Sequence, residues 1–115
     1  MEYQFWGASG GVVPVEDDIE ILAKKDPDSA VKLIKKLENL DKYSFLQLRS
    51  TKNTVEHVRK KIWTLRYDLI KKKCRIYFKV DQYGTMQLLH LVIKKDWKLK
   101  PKDIDIAEHR GKSII

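Results

Sequence analysis

The chain is 115 residues long, with 43% hydrophobic and 35% charged residues. That length fits one domain over residues 1–115 with one core, and the apolar fraction excludes intrinsic disorder. No run approaches the ~18 apolar residues of a membrane-spanning helix. The opening MEYQFWGASGG lacks the basic and apolar regions of a signal peptide, and one cysteine, Cys74, excludes an internal disulfide framework and a multi-cysteine zinc site. The expectation is a cytoplasmic protein with no membrane partner and no cofactor.

The formal net charge is +8, and it is unevenly spread. Residues 1–51 carry 7 Lys+Arg and 9 Asp+Glu, a net of −2, whereas residues 52–115 carry 17 and 7, a net of +10. A basic second half suggests a surface for a polyanion such as nucleic acid; a lysine-rich solvated surface is the plain alternative.

A short strand is predicted at Glu2–Trp6, followed by a glycine-containing loop, Gly7–Val13. That loop lacks the lysine and the spacing of a phosphate-binding P-loop. Pro14 opens a helix with Asp17, Asp18 and Glu20 in its first turns and Val15, Ile19, Leu22 and Ala23 on one face. A second helix starts after Lys25-Asp26-Pro27, capped by Asp26 or Asp28, with Ala30, Leu33, Ile34, Leu37 and Leu40 as its apolar stripe.

The second half changes period. Ile62–Leu69 (IWTLRYDL) reads as a strand, Lys71–Lys73 as a turn, and Cys74–Val80 as a strand that alternates Cys74, Ile76, Phe78 and Val80 against Arg75, Tyr77 and Lys79. Asp81–Gly84 is a hairpin loop, and Met86–Ile93, apolar almost throughout, is a central strand. A final helix begins near Pro101 and turns Ile104 and Ala107 to the sheet. The predicted order is β-α-α-β-β-β-α, an α+β fold with an antiparallel sheet and helices packed on one face. The other face would gather Arg66, Arg75 and Lys79, with Lys94 or Lys95 at the strand end. Adjacent cations on a sheet repel, and such conflict tends to mark a functional surface.

Trp63-Thr64-Leu65-Arg66, Cys74-Arg75-Ile76-Tyr77-Phe78, Leu88-Leu89-His90-Leu91-Val92-Ile93-Lys94-Lys95 and the run Lys98–Arg110, with Lys100-Pro101, Ile104, Ala107 and Arg110 in register, together resemble the RelE/HigB toxin superfamily. The likeness is strongest to its phage-derived, HigB-like branch and covers about residues 55–110. It implies a RelE-like fold and a type II toxin neutralised by a cognate antitoxin, of the helix-turn-helix, HigA-like kind. It also implies a ribosome-dependent mRNA endoribonuclease whose partners are the ribosome and mRNA; some relatives are instead gyrase poisons or inactive binders of RNA or antitoxin.

RNA cleavage beside a 2′-OH needs proton removal, charge neutralisation at phosphorus and protonation of the leaving oxygen. Because the nucleophile belongs to the substrate, a metal-independent route fits. Arg66 and Arg75, at the family's paired arginine positions, are the expected clamps; a salt bridge to a nearby acid is the structural alternative. Lys94 and Lys95 match the family's basic pair, and His109 lies near its C-terminal catalytic region, so these complete the expected catalytic set. Lys79, Trp97, Lys98, Lys100 and Lys102 are expected to bind RNA, through phosphate contacts and base stacking. His90 and His57 are weaker candidates for proton transfer, His90 reading as a core histidine, and Tyr77 as a stacking or hydroxyl donor. Thr64 replaces the acid usual in this family's motif, and Cys74 reads as a small buried hydrophobe.

Overall fold

The computed structural model describes residues 1–50 and 54–115. The elements are β1 (Tyr3–Phe5), α1 (Pro14–Lys25), α2 (Pro27–Glu38), a 3-10 turn (Asn39–Lys42), α3 (Phe45–Ser50), β2 (Val55–Arg59), β3 (Ile62–Leu69), β4 (Lys72–Val80), β5 (Met86–Lys94) and α4 (Pro101–Gly111). The sheet order is β1-β5-β4-β3-β2. Strands β2 to β5 form an antiparallel meander, and β1 joins β5 in parallel.

The α+β class and RelE-like architecture are those expected. Four details differ. Lys72 and Lys73, expected in a turn, begin β4 and pair with Leu69 and Asp68 of β3. The sheet has a fifth strand, β2, whose sequence VEHVR is short and offers only Val55 and Val58 as apolar members, too little for a periodic signal. The six-residue α3 was likewise too short to read, although Phe45 and Leu48 pack in the core. Finally, the helices do not share one face. α1 and α2 cover the side carrying Leu65, Ile76, Phe78 and Leu88, whereas α4 lies on the opposite side against Ile62, Tyr77 and Leu89. Both sides are apolar because successive residues of β5 point to opposite faces, and a bulge in the β4–β5 ladder shifts that alternation: Tyr77 pairs with His90 and Phe78 with Leu88, so Leu89 is the extra residue and His90 joins it on the α4 side. Leu88 then enters one core and Leu89 the other.

The helix hairpin follows local chemistry. Pro14 and Pro27 each open a helix, where a missing N–H costs nothing. Asp26 caps α2, accepting from Ser29 N at 3.3 Å and Ser29 Oγ at 2.7 Å. Those bonds from Ser29, with one from Lys72, hold its carboxyl down at about 2. Val15, Ile19, Leu22, Ala30, Leu33, Leu37 and Leu40 are buried as expected, but Ala23 and Ile34 point outward.

Cys74 lies fully buried between the strands, and burial pushes its thiol up to about 12. The thiolate is the reactive form, so the folded protein should resist iodoacetamide at pH 8 and react fully in denaturant. Rapid native labelling, read by mass spectrometry, would contradict this packing.

Candidate nucleic-acid interface

The antiparallel register places residues of four strands in rows on the face that α4 half covers. One row runs Glu56, Thr64, Tyr77, His90; the next holds Arg66 opposite Arg75, followed by Val92; a third holds Asp68, Lys73, Lys94. α4 and Leu99 cover Tyr77, while the arginine end lies outside that apolar patch.

Arg66 and Arg75 are direct cross-strand partners, so like charges meet side by side. A single carboxylate relieves the repulsion. Glu56 Oε2 accepts from Arg66 Nη1 at 3.0 Å and from Arg75 Nη1 at 3.3 Å. Arg75 is only 3% exposed, and it also donates to Thr64 Oγ1 at 3.0 Å and to the Trp97 carbonyl at 2.7 Å. Thr64, at the acid's place in the family motif, is buried and accepts that hydrogen bond from Arg75. Glu56 on the neighbouring strand supplies a carboxylate to the same guanidinium.

Trp97 lies over this floor. Its ring centre is 5.0 Å from the Arg66 guanidinium, 5.7 Å from that of Arg75 and 4.9 Å from Lys73 Nζ. Three cations around one indole make it strongly held through its π face. Lys73 also bonds Asp68 at 3.0 Å. The arrangement can hold an anionic oxygen between two guanidinium groups and offer an aromatic plate to a base.

The remaining expected site residues disperse. Lys94 is paired with Asp103 at 3.3 Å and donates to the Lys98 carbonyl at 2.9 Å. Lys95 is exposed beside Lys71, Lys72 and Lys73, at the strand end. Lys98, Lys100 and Lys102 are exposed along the segment leading into α4. Lys79 donates to the carbonyls of Gly111 at 2.9 Å and Ile114 at 2.5 Å, satisfying the end of α4, and burial, reinforced by repulsion from Lys61, holds its ammonium below the ordinary lysine range. His109 is exposed on the outer side of α4 among Arg59, Asp105, Glu108 and Lys112. His57 stacks near Trp63 on the opposite face.

Sequence reasoning passed over Glu56 and Lys73, and it named His90 without its partner Asp103. Glu56 sits in an unread strand. His90 Nε2 lies 2.9 Å from Asp103 Oδ1, and Arg110 Nη1 approaches its Nδ1 at 3.5 Å. Burial pushes the Asp103 carboxyl up, yet hydrogen bonds from His90 and Lys94 outweigh it and leave it below its ordinary value. The neighbouring Tyr77 hydroxyl is buried with no hydrogen-bond partner among the described residues, and burial raises it to about 12. Among the described residues no group of three or more His, Cys, Asp or Glu is placed to hold a metal ion, and no helix is long and apolar enough to cross a membrane.

Residues 17–112 match the family described as phage derived protein Gp49-like (DUF891). The chain belongs to that family. It is a RelE-like family associated with toxin–antitoxin systems, and membership therefore implies a toxin-type function and an antitoxin partner. A comparison with curated proteins gives no match. The matched span takes in all the residues of the arginine floor and its indole cover, so the site of this Gp49-like chain lies wholly within the family region.

Two outcomes test the electrostatics. Glu56→Gln leaves two adjacent guanidinium groups without their shared carboxylate and should destabilise the fold by about 1–2 kcal/mol in urea. Asp103 has a lowered carboxyl, so its contribution is present above the unfolded value near 4 and is lost as pH falls through the folded value. Asp103→Asn should therefore flatten the acid limb of the stability curve below about pH 4; an unchanged acid limb would remove Asp103 from the network.

Proposed function

We propose that this Gp49-like protein is the toxin of a type II pair, in the HigB manner, and cleaves mRNA on the ribosome. One observation carries the proposal: two arginines on neighbouring strands converge on one oxygen, Glu56 Oε2, beneath an indole ring. A phosphate oxygen has the same charge and the same hydrogen-bonding needs as that carboxylate oxygen.

In this reading the scissile phosphate takes the seat between Arg66 and Arg75. Glu56, displaced but still adjacent, accepts the proton of the ribose 2′-OH. The 2′-oxygen then attacks phosphorus, and the bond to the 5′-oxygen breaks. Lys73 supplies the proton to the leaving oxygen, giving a 2′,3′-cyclic phosphate and a free 5′-OH. The guanidinium pair neutralises charge that grows on the phosphorane oxygens. Trp97 stacks on a flanking base, while Lys95, Lys98, Lys100 and Lys102 track the RNA backbone. Lys73 stands 4.9 Å from the Trp97 ring over the seat, and its partner Asp68 is exposed; Lys94 is held between Asp103 and the Lys98 carbonyl, and His109 lies among Arg59, Asp105 and Glu108, so neither takes part in proton transfer here.

The burial of Arg75, with three protein acceptors, favours a second reading in which the arginine pair only braces the Trp97 segment and the chain acts by binding. Expression of the chain from a tightly repressed promoter separates the two. The nuclease reading expects growth arrest with cleavage of translated messages at mapped 5′ ends, and Arg66→Ala should lower cleavage by about 10²–10³-fold while keeping the melting temperature within a few degrees. Uncut messages, or full cleavage by a folded Arg66→Ala, would reject it.

A further inference from the structure

β5 is nine residues long, yet β1 pairs with only Met86, Gln87 and Leu88. The pairing along that edge ends with Trp6 N donating to Leu88 O at 3.0 Å. From His90 onward β5 has β4 on one side, and among the described residues no strand on the other. An uncovered strand edge is a template for another extended chain.

A cleft of about 450 Å³ runs beside that same stretch. Its floor is His90–Ile93, α1 forms one wall through Asp18, Ile21 and Leu22, and Asp103 of α4 stands on the other side. Lys25 and Lys72 lie at one end of the cleft lining, where Lys72 also bridges Asp26 at 2.9 Å. Ile21 is 49% exposed, although the buried face of α1 is made by Val15, Ile19 and Leu22. The cleft thus joins an unpaired backbone edge, a wall with Ile21 and Leu22 beside Asp18, and an end with two lysines, one of them already paired with Asp26.

We propose that this groove receives an extended segment of the antitoxin, added as a further strand beside β5 where β1 stops. The backbone edge of β5 supplies register and affinity, and alternate side chains supply choice, as in strand addition generally. Side chains on the α1 side meet Ile21 and Leu22 and must be apolar. At the far end a carboxylate reaches Lys25 and Lys72. An acidic segment also suits a chain of net charge +8, which attracts it over a distance. A helix would leave the strand edge unsatisfied, so an extended occupant fits better. The proposal rests on the toxin–antitoxin reading only for the source of the segment.

The test selects phage-displayed random 12-residue peptides on the whole protein. Enriched peptides should alternate apolar and polar residues and carry Asp or Glu near one end. Bound peptide should slow amide exchange at His90–Ile93 by at least 10-fold. Ile21→Asp should weaken binding by 10-fold or more, and Lys25→Glu should do so for the acidic peptides alone. N-methylation of alternate peptide amides should abolish binding in one phase of the alternation and spare it in the other. No enriched peptide, equal affinity for a folded Ile21→Asp protein, or unchanged exchange at His90–Ile93 would overturn the proposal. Growth arrest by the parent chain is scored separately: its absence would sink the nuclease reading and leave the peptide results to decide the groove.

Discussion

Two guanidinium groups held against one carboxylate oxygen organise the polar half of this fold. Arg66 and Arg75 face each other across β3 and β4, where repulsion would otherwise open the ladder. Glu56, one strand further out, closes the charge account and ties β2 to the two central strands. Arg75 then anchors the Trp97 carbonyl, so the segment between β5 and α4 folds back over the same floor. Remove the carboxylate and the strand edge, the arginine pair and the indole cover all lose a common support.

The same geometry gives the surface its functional character. A carboxylate shared by two arginines marks where an anionic oxygen is stable, and in the proposed function a phosphate takes that place from the partly exposed Glu56. The basic balance of residues 52–115 sets the field around it, but few of those lysines stand in the seat itself. Lys79 closes a helix end and Lys94 serves an aspartate, so they contribute packing and order more than recognition. Under the proposed function, net charge draws the RNA in, whereas placement decides what happens on arrival.

α4 has a different part. It covers Tyr77 and Leu89 on the same face, and its first turn brings Asp103 to His90 and Lys94. This polar cluster lies across the sheet from the arginine seat, on the strand that β1 leaves half paired. One sheet therefore carries the two unlike features on which the proposals rest: an arginine floor closed by Glu56 and Trp97, and a strand edge that β1 leaves half paired.

Much was legible in the sequence because the physics was local. Periodicity located both long helices and three strands, prolines placed the helix starts, and the alternation of Cys74–Val80 put Arg75, Tyr77 and Lys79 on one face. Paired arginine motifs also singled out Arg66 and Arg75 before any contact was known. What stayed hidden depended on partners distant along the chain. VEHVR is too short to announce a strand, and so Glu56 could not be matched to arginines 10 and 19 residues away. No pattern within α4 says which side of the sheet it will cover; β5 sends apolar residues to both sides, Leu88 to one and Leu89 to the other, and leaves that choice to packing. The sequence by itself determined the elements and the charge, since these follow from each residue and its near neighbours. Only the tertiary structure decided which cations meet one carboxylate and which are consumed by helix ends, because such pairing is set by register between strands.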